Sequence, residues 1–411
     1  MKKTTVNKNK SSVCRLFITG ILTFGLMFSC SDSVEEESRG IPGANKELED
    51  MYNYLISESG GKTPNDPVEV KMSIRLTELN YLEMLTIIEK VGKYVNLNLN
   101  ECDFSDSTSS SVGGLNRSRQ FNTMQSASTG KSRIVNLELP IVATGITGNF
   151  TYFDSMKTIS GENVAAITVY DAFSGLTALT SASFPKAASI ANSTFQNCSN
   201  MVEITFPATA TISGNPFIGC SSLSFNVIGK GALSTKEDGK ILLRNETELV
   251  SYPSASGKVS LDYLTALGSY SMSRLQVSEV EFVNVTKVES YAFYYSSSLT
   301  SINMPKAAAL GNYSFYNNTN LKELIIPSAK EIGSYALAYT GNVPLVITLG
   351  TTQPSLGNNL LSGITKTVNV MIPDNAEGYD ENWIEAFIGK GSEGTGTANE
   401  NITVNIAKYK P

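Results

Sequence analysis

Carboxylates, thiols and phenols are the side chains in this 411-residue sequence whose types and spacing could support chemistry. Glu203, Glu279, Glu281 and Glu323 fall at alternate positions of short apolar-polar runs. A pair of such carboxylates can serve glycoside hydrolysis, although charged residues on a repeating strand ordinarily just face water. The chain contains no histidine, which excludes Ser-His-Asp and Cys-His nucleophile systems and most catalytic zinc sites. Carboxylate chemistry therefore remains a candidate by elimination alone. No Gly-rich phosphate loop follows a strand as a nucleotide site requires. The expectation is a non-enzymatic protein with no catalytic residue, no cofactor and no metal.

Cys198 and Cys220 stand 22 residues apart, in Gln196-Asn197-Cys198-Ser199 and Ile218-Gly219-Cys220-Ser221. With no His or further Cys beside them they make a poor zinc site, and they read as small buried hydrophobes, not as a disulfide. Phenols form the longer series. Tyr270, Tyr291, Tyr313 and Tyr335 recur at steps of 21, 22 and 22, with Tyr294, Tyr295, Tyr316 and Tyr339 nearby. Ser193 and Asn215 hold the matching places earlier in the chain, so the second half is aromatic where the first is polar. Exposed aromatic strips suit protein recognition or sugar stacking, whereas half-buried tyrosines can equally be packing. The candidate binding surface is Tyr270, Tyr291, Tyr294, Tyr313, Tyr316 and Tyr335 together with Glu203, Glu279, Glu281 and Glu323.

The elements that would hold these residues repeat with the same 22-residue period. Phe195 and Phe217 keep it, as do Phe293, Phe315 and Leu337. Ile190 and Ile212 keep it, and so do Val288, Leu310 and Ile332. Such a period means stacked units that bury a shared core. Each unit offers an alternating strand ending in proline, as in residues 135–140, 180–185, 202–207, 300–305 and 322–327. Proline cannot donate a ladder hydrogen bond. The step breaks at residues 144–170 and 258–275, where a kink is expected. Upstream, residues 44–57 read as a helix with Leu48, Met51, Tyr54 and Leu55 on one side. Residues 77–92 read as a second helix with a stripe of Leu79, Leu82, Leu85, Ile88 and Val91. Residues 94–99 alternate as a strand, and the Ser-, Asn- and Gly-rich residues 103–131 read as a loose insertion.

The N-terminus reads as an export leader. Lys2, Lys3, Lys8, Lys10 and Arg15 precede an apolar run, Leu16 to Phe28, which is short of the ~20 residues a membrane helix needs. Leu26-Met27-Phe28-Ser29-Cys30 resembles the lipobox of bacterial lipoproteins, with Met27 where Leu usually stands; the resemblance implies lipidation of Cys30. The acidic Ser31-Asp32-Ser33-Val34-Glu35-Glu36-Glu37 resembles the surface-export signal of certain Gram-negative lipoproteins, and as charge alone it is a solvated tether. The implied place is the bacterial outer membrane, lipid-anchored and cell-surface exposed, with membrane contact through the lipid only. Without the five basic leader residues, 27 Lys and Arg face 38 Asp and Glu, a formal charge of −11, so nucleic acid is not an expected partner.

The strand-Pro units with Leu310-Gly311-Asn312-Tyr313-Ser314-Phe315 and Ile332-Gly333-Ser334-Tyr335-Ala336-Leu337 resemble the BspA-like leucine-rich repeat family. Asp238–Leu242 followed by Leu249–Pro253 resembles that family's hairpin-like insertion. Residues 367–373, Tyr379, Trp383 and Phe387 resemble its closing strand and helix. The resemblance implies an α/β repeat solenoid: a right-handed leucine-rich-repeat superhelix with parallel strands stacked one per ~22-residue repeat. The expected organisation is a signal peptide (1–29), a lipidated tether (30–44), an α+β N-terminal capping region with a Ser-rich insertion (45–133), the solenoid (134–365) and a strand-helix cap (366–411). The implied function is adhesion or binding of a host matrix or cell-surface protein. The alternative is a glycan-binding accessory of a polysaccharide-uptake system.

Overall fold

The computed structural model describes residues 45–105, 113–124, 128–389 and 402–410. The leader, Cys30 and the acidic tether lie outside them. The described chain is a parallel β-solenoid. Between the helix-bearing coils at its ends, each coil contributes one strand of three to six residues, a second and usually shorter strand, and a third side built from turns.

The longer strands arise where the sequence alternates. Glu203–Pro207 and Ser301–Asn303 bury every second side chain, and in-register pairing sets Ser301 beside Glu323 and Ile302 beside Leu324. In the first half seven strands form one parallel ladder from Val68–Lys71 to Ser224–Ile228. The ladder thus starts inside the region expected as an N-terminal cap. The apolar residues at the 22-residue step make a second ladder. Ile190 pairs with Ile212 in the first half, and Val288, Leu310 and Ile332 pair in turn in the second.

Two expectations are corrected by this second ladder. Residues 144–170 do not kink the array: Gly145–Ile146 pairs with Ala166–Ile167, and Thr158–Ser160 continues the first ladder. Residues 103–131 are not uniformly loose either. Gln120–Asn122 is a rung beside Gly145–Ile146, with Phe121 fully buried.

The discontinuity falls at residues 229–256. There Leu233–Lys236, Ile241–Arg244 and Glu248–Ser251 run antiparallel, which is the hairpin-like insertion. Beyond it both ladders begin again, from Ser256–Ser260 and Glu248–Ser251 respectively. An apolar cluster runs from Ile241 to Phe387 and includes none of the first half's phenylalanines.

The core is a column of rings. Phe150, Phe173, Phe195 and Phe217 succeed one another at 4.5, 4.9 and 5.9 Å between centroids, and Phe293 stacks on Phe315 at 5.3 Å. Beside the column, Cys198 and Cys220 are buried and unbridged. Each thiol donates to the carbonyl of the preceding coil, to Phe173 O at 3.1 Å and Phe195 O at 3.0 Å. Ser296 does the same to Met272 O at 2.7 Å, so the unbridged thiols and the hydroxyl fill one hydrogen-bonding slot of the coil.

Helices pack at both ends of the array. Helix α1, Lys46–Ser57, is capped by Asn45 and buries Leu48, Met51 and Leu55, while Tyr54 is 42% exposed and leaves the expected stripe. Helix α2, Glu78–Val91, starts at a Thr77 cap and ends at left-handed Gly92. Its buried face is Tyr81, Met84, Leu85, Ile87 and Ile88, and Leu79 is 71% exposed. Three-residue steps drift around a 3.6-residue helix, so a run of every-third leucines cannot hold one face. Helix α3, Glu381–Phe387, lays Trp383 and Phe387 over the last coils, and the indole N–H donates to Pro354 O at 3.0 Å. A further strand, Val404–Tyr409, pairs with Val368–Pro373 and extends the ladder past the expected closing strand.

Because Phe293 is buried with a neighbour ring above it, Phe293→Ala removes both burial and stacking. The expected loss is about 3–5 kcal/mol, read from the urea midpoint, with the far-UV signal of the native state retained.

Candidate binding surface

The third side of each coil has no strand, yet its backbone is bonded from coil to coil. Alternate N–H groups donate forward: Tyr291 to Asn312 O, Phe293 to Ser314 O and Tyr295 to Tyr316 O, at 3.0, 2.7 and 2.9 Å. The first half does the same with Phe173, Gly175, Phe195 and Asn197. Turning two of these amides along the axis in so tight a turn requires left-handed residues, four apart. In the first half they are Asp171 and Gly175, then Ser193 and Asn197, all with φ between 57° and 77°. Gly, Asn and Asp are residue types that tolerate that conformation.

The second half places tyrosine there. Tyr270, Tyr291, Tyr313 and Tyr335 have φ of 60°, 64°, 56° and 55°, and Tyr295 and Tyr339 have 58° and 57°. A bulky residue in this region is an outlier costing on the order of 1–3 kcal/mol. Some of the cost is offset by ring contact. Tyr270, Tyr291, Tyr313 and Tyr335 stack at 4.8, 5.0 and 4.9 Å with planes within 4° of parallel, and such pairs contribute roughly 0.5–1.5 kcal/mol each. Beside this row Tyr294 stacks on Tyr316 at 5.4 Å, and Tyr316 meets Tyr339 at 5.2 Å. Eight tyrosines therefore form one surface. Tyr295 and Tyr339 are 41% and 46% exposed and the others half-buried.

The ring separation equals the rise between coils, so the row's ring faces cover one another and its edges and hydroxyls face outward. At one end Asn359 donates to the Tyr335 hydroxyl at 2.7 Å. At the other, buried Asn215 donates to Tyr270 O at 3.0 Å across the insertion. Asn215, expected as a polar counterpart of the tyrosines, is instead a joint between the two halves. The Arg274 guanidinium lies 5.9 Å from the Tyr295 ring centre. Burial raises the Tyr270, Tyr313 and Tyr316 phenols above their ordinary value and pushes Tyr294 up to about 12. These four phenols thus stay neutral at physiological pH.

The four glutamates are on the first, longer-strand ladder and point away from the core, as expected. They do not form one site. Glu203 is in the first half, on Glu203–Pro207, and borders a groove of about 270 Å³ with Asn226 and Asp238. Glu279 and Glu281 share Gln276–Glu281, and Glu323 lies two rungs from Glu279 across Ser301, roughly 9.6 Å away by strand spacing. Glu281 is paired with Lys258 at 3.1 Å, and Glu323 accepts from the Ser301 hydroxyl at 3.0 Å. The same face elsewhere carries Thr158 donating to Asn136 at 2.8 Å and Asn136 to Asn96 at 2.7 Å. This is a solvated polar ladder. Among the described residues no group of three or more His, Cys, Asp or Glu could hold a metal ion, and no helix is long and apolar enough to cross a membrane.

Two parallel ladders, a turn-built third side and a coil of about 22 residues define a leucine-rich-repeat solenoid. The model of the BspA type leucine rich repeat region matches six copies over residues 125–236 and 258–367, more than half of the sequence. The chain belongs to that family. Among solved structures it is similar to the pneumococcal vaccine antigen PcpA, at 15% identity over 67% of this chain and 86% of that one, TM-score 0.41. A leucine-rich repeat protein from Eubacterium ventriosum is similar at 18% identity over 68% and 74%, TM-score 0.40. One from Bacteroides ovatus is similar at 15% over 83% and 84%, TM-score 0.36. With TM-scores below 0.5 these likenesses add nothing to the assignment, which rests on the family match and the coil geometry. No curated protein matches the chain.

Two outcomes follow from the tyrosine backbone. At φ 56° alanine strains and glycine does not, so Tyr313→Gly should be more stable than Tyr313→Ala by about 1 kcal/mol, the reverse of the usual order, in paired urea titrations. Tyr294 keeps its proton to a higher pH folded than unfolded. Its contribution is therefore complete below pH ~10, where the unfolded phenol titrates, and is lost as pH rises through about 12. A spectrophotometric titration of tyrosinate absorbance should show a late group of phenols, since Tyr252 and Tyr379 are likewise pushed up to about 12, and Tyr294→Phe should lower the late amplitude by one phenol.

Proposed function

We propose that this protein is a surface-anchored, non-catalytic lipoprotein whose repeat array binds a macromolecular partner, a host matrix protein or a protein of another cell, through its tyrosine face. One observation carries the reading. Tyrosine occupies left-handed positions that glycine, asparagine, aspartate and serine fill elsewhere in the same array, and backbone strain of this kind marks functional positions. A neutral surface of phenol edges and hydroxyls, rigid because each ring is stacked, has the composition of a protein-binding hot spot. Covered ring faces weigh against sugar stacking by the inner row. The family is typically a binding scaffold. Anchoring at the outer membrane through lipidated Cys30 rests on the leader and acidic tract alone, and membrane contact would be through that lipid.

The test is binding of the protein to paired arrays of extracellular-matrix proteins and polysaccharides at physiological salt, beside a Tyr291→Asn, Tyr313→Asn, Tyr335→Asn triple variant. Asparagine already holds such positions at Asn317 and Asn359, so the fold is expected to survive. The expected outcome is saturable binding to a matrix protein, weakened at least about tenfold in the triple variant, which keeps the native far-UV signal and a cooperative melt above the assay temperature. Binding to polysaccharide spots alone would replace this reading with the sugar-uptake accessory.

A further inference from the structure

Among the described residues the first coil leaves a strand edge open beneath a helix. In Val68–Lys71 the even-numbered residues bond to the neighbouring strand, with Val68 N donating to Tyr94 O at 2.9 Å and Met72 N to Asn98 O at 3.0 Å. Among the described residues the strand has no second neighbour, being the outermost in its sheet. Glu69 and Lys71 must then turn their amides and carbonyls outward, away from the ladder. Along that edge lies a groove of about 430 Å³ lined by Glu47, Asp50, Met51 and Tyr54 of α1 and by Glu69 to Ser73. Its floor is apolar, since Met51, Val70 and Met72 are buried. Its rim is acidic, carrying Glu47, Asp50 and Glu69, while Lys71 is taken up by Glu101 at 2.7 Å.

We propose that this groove is a second binding site, separate from the tyrosine face, and that it receives an extended, lysine- or arginine-bearing peptide segment of a partner protein as an added strand. Strand addition draws affinity from backbone hydrogen bonds and specificity from alternate side chains. Here the outward Glu69 and Lys71 backbone groups supply the first. Apolar side chains of the segment meet Met51 and Val70, and its basic side chains meet Glu47, Asp50 and Glu69. The protein's own tether is an unsuitable occupant, because Asp32, Glu35, Glu36 and Glu37 outnumber Arg39 in it and repel the rim.

The probes are two blocked hexapeptides, an alternating Lys-Val peptide and an alternating Glu-Val peptide, titrated calorimetrically into the protein at low and physiological salt. The Lys-Val peptide should bind saturably, more weakly as salt rises, and the Glu-Val peptide at least about tenfold more weakly. Glu69→Pro removes an outward donor without touching the ladder and should weaken the Lys-Val peptide about tenfold or more, with melting unchanged. Should that variant fail to fold, the Glu47→Lys, Asp50→Lys double variant, altered only on the exposed side of α1, must show the same weakening. Equal affinity for both peptides, undiminished binding by the variants, or no binding by the unaltered protein would overturn the proposal. Binding at the tyrosine face is read by a different variant, so failure of one site leaves the other standing.

Discussion

Every coil of this protein must hand its backbone hydrogen bonds to the next. A chain that winds instead of folding back has no other way to satisfy its buried amides, and each of the three sides solves the problem differently. Two sides use parallel strands. The third turns alternate amides along the axis and needs left-handed residues four apart to do so. The ring column, the polar slot filled by Cys198, Cys220 and Ser296, and the tyrosine row are side-chain consequences of that backbone repeat. They recur because the backbone positions recur.

Scaffold and surface differ in what they demand of a side chain. The scaffold's residues are interchangeable within a class: Phe293 and Phe315 give way to Leu337, and a thiol gives way to a hydroxyl, since each only has to fill a volume or reach a carbonyl. The tyrosines are different. In the first half the places of the stacked row are held by Asp171 and Ser193, and Tyr152 (φ 72°) is a left-handed tyrosine outside any such row, so the second half's stacked aromatic row is not required by closure. The glutamates of the strand face belong to the scaffold in this sense, being members of a polar ladder that also uses Asn136 and Thr158.

Much of this was legible in the sequence, and the rest was hidden for physical reasons. The period and the proline-ended strands were visible because alternation is imposed by burial. The short ladder was seen only as a recurring Ile, Val or Leu, because strands of two residues are too brief to alternate. The continuity of residues 144–170 was missed because a coil can lengthen or shorten in its turns while the paired residues stay in register. Rung Gln120–Asn122 hid inside a Ser-rich stretch whose composition outweighed one buried Phe121. Leu79 misled the helix reading because an every-third spacing imitates a face over one turn and leaves it over four. The tyrosine spacing was plain, but its left-handed backbone was not, since sequence statistics would assign such positions to glycine or asparagine.

The break at residues 229–256 governs how the molecule would carry load. Along each half, force applied end to end acts on stacked rungs, which open singly and in succession as a zipper does. At the break the ladders give way to an antiparallel meander and to a few cross-links, among them Asn215 to Tyr270 and Arg244 to the Ile212 carbonyl, both at 3.0 Å. The segment therefore separates the tyrosine-bearing half from the half that adjoins the chain's N-terminal end. The 19 residues from 229 to 247, ahead of the rung Glu248–Ser251, can extend as slack before either half is unwound.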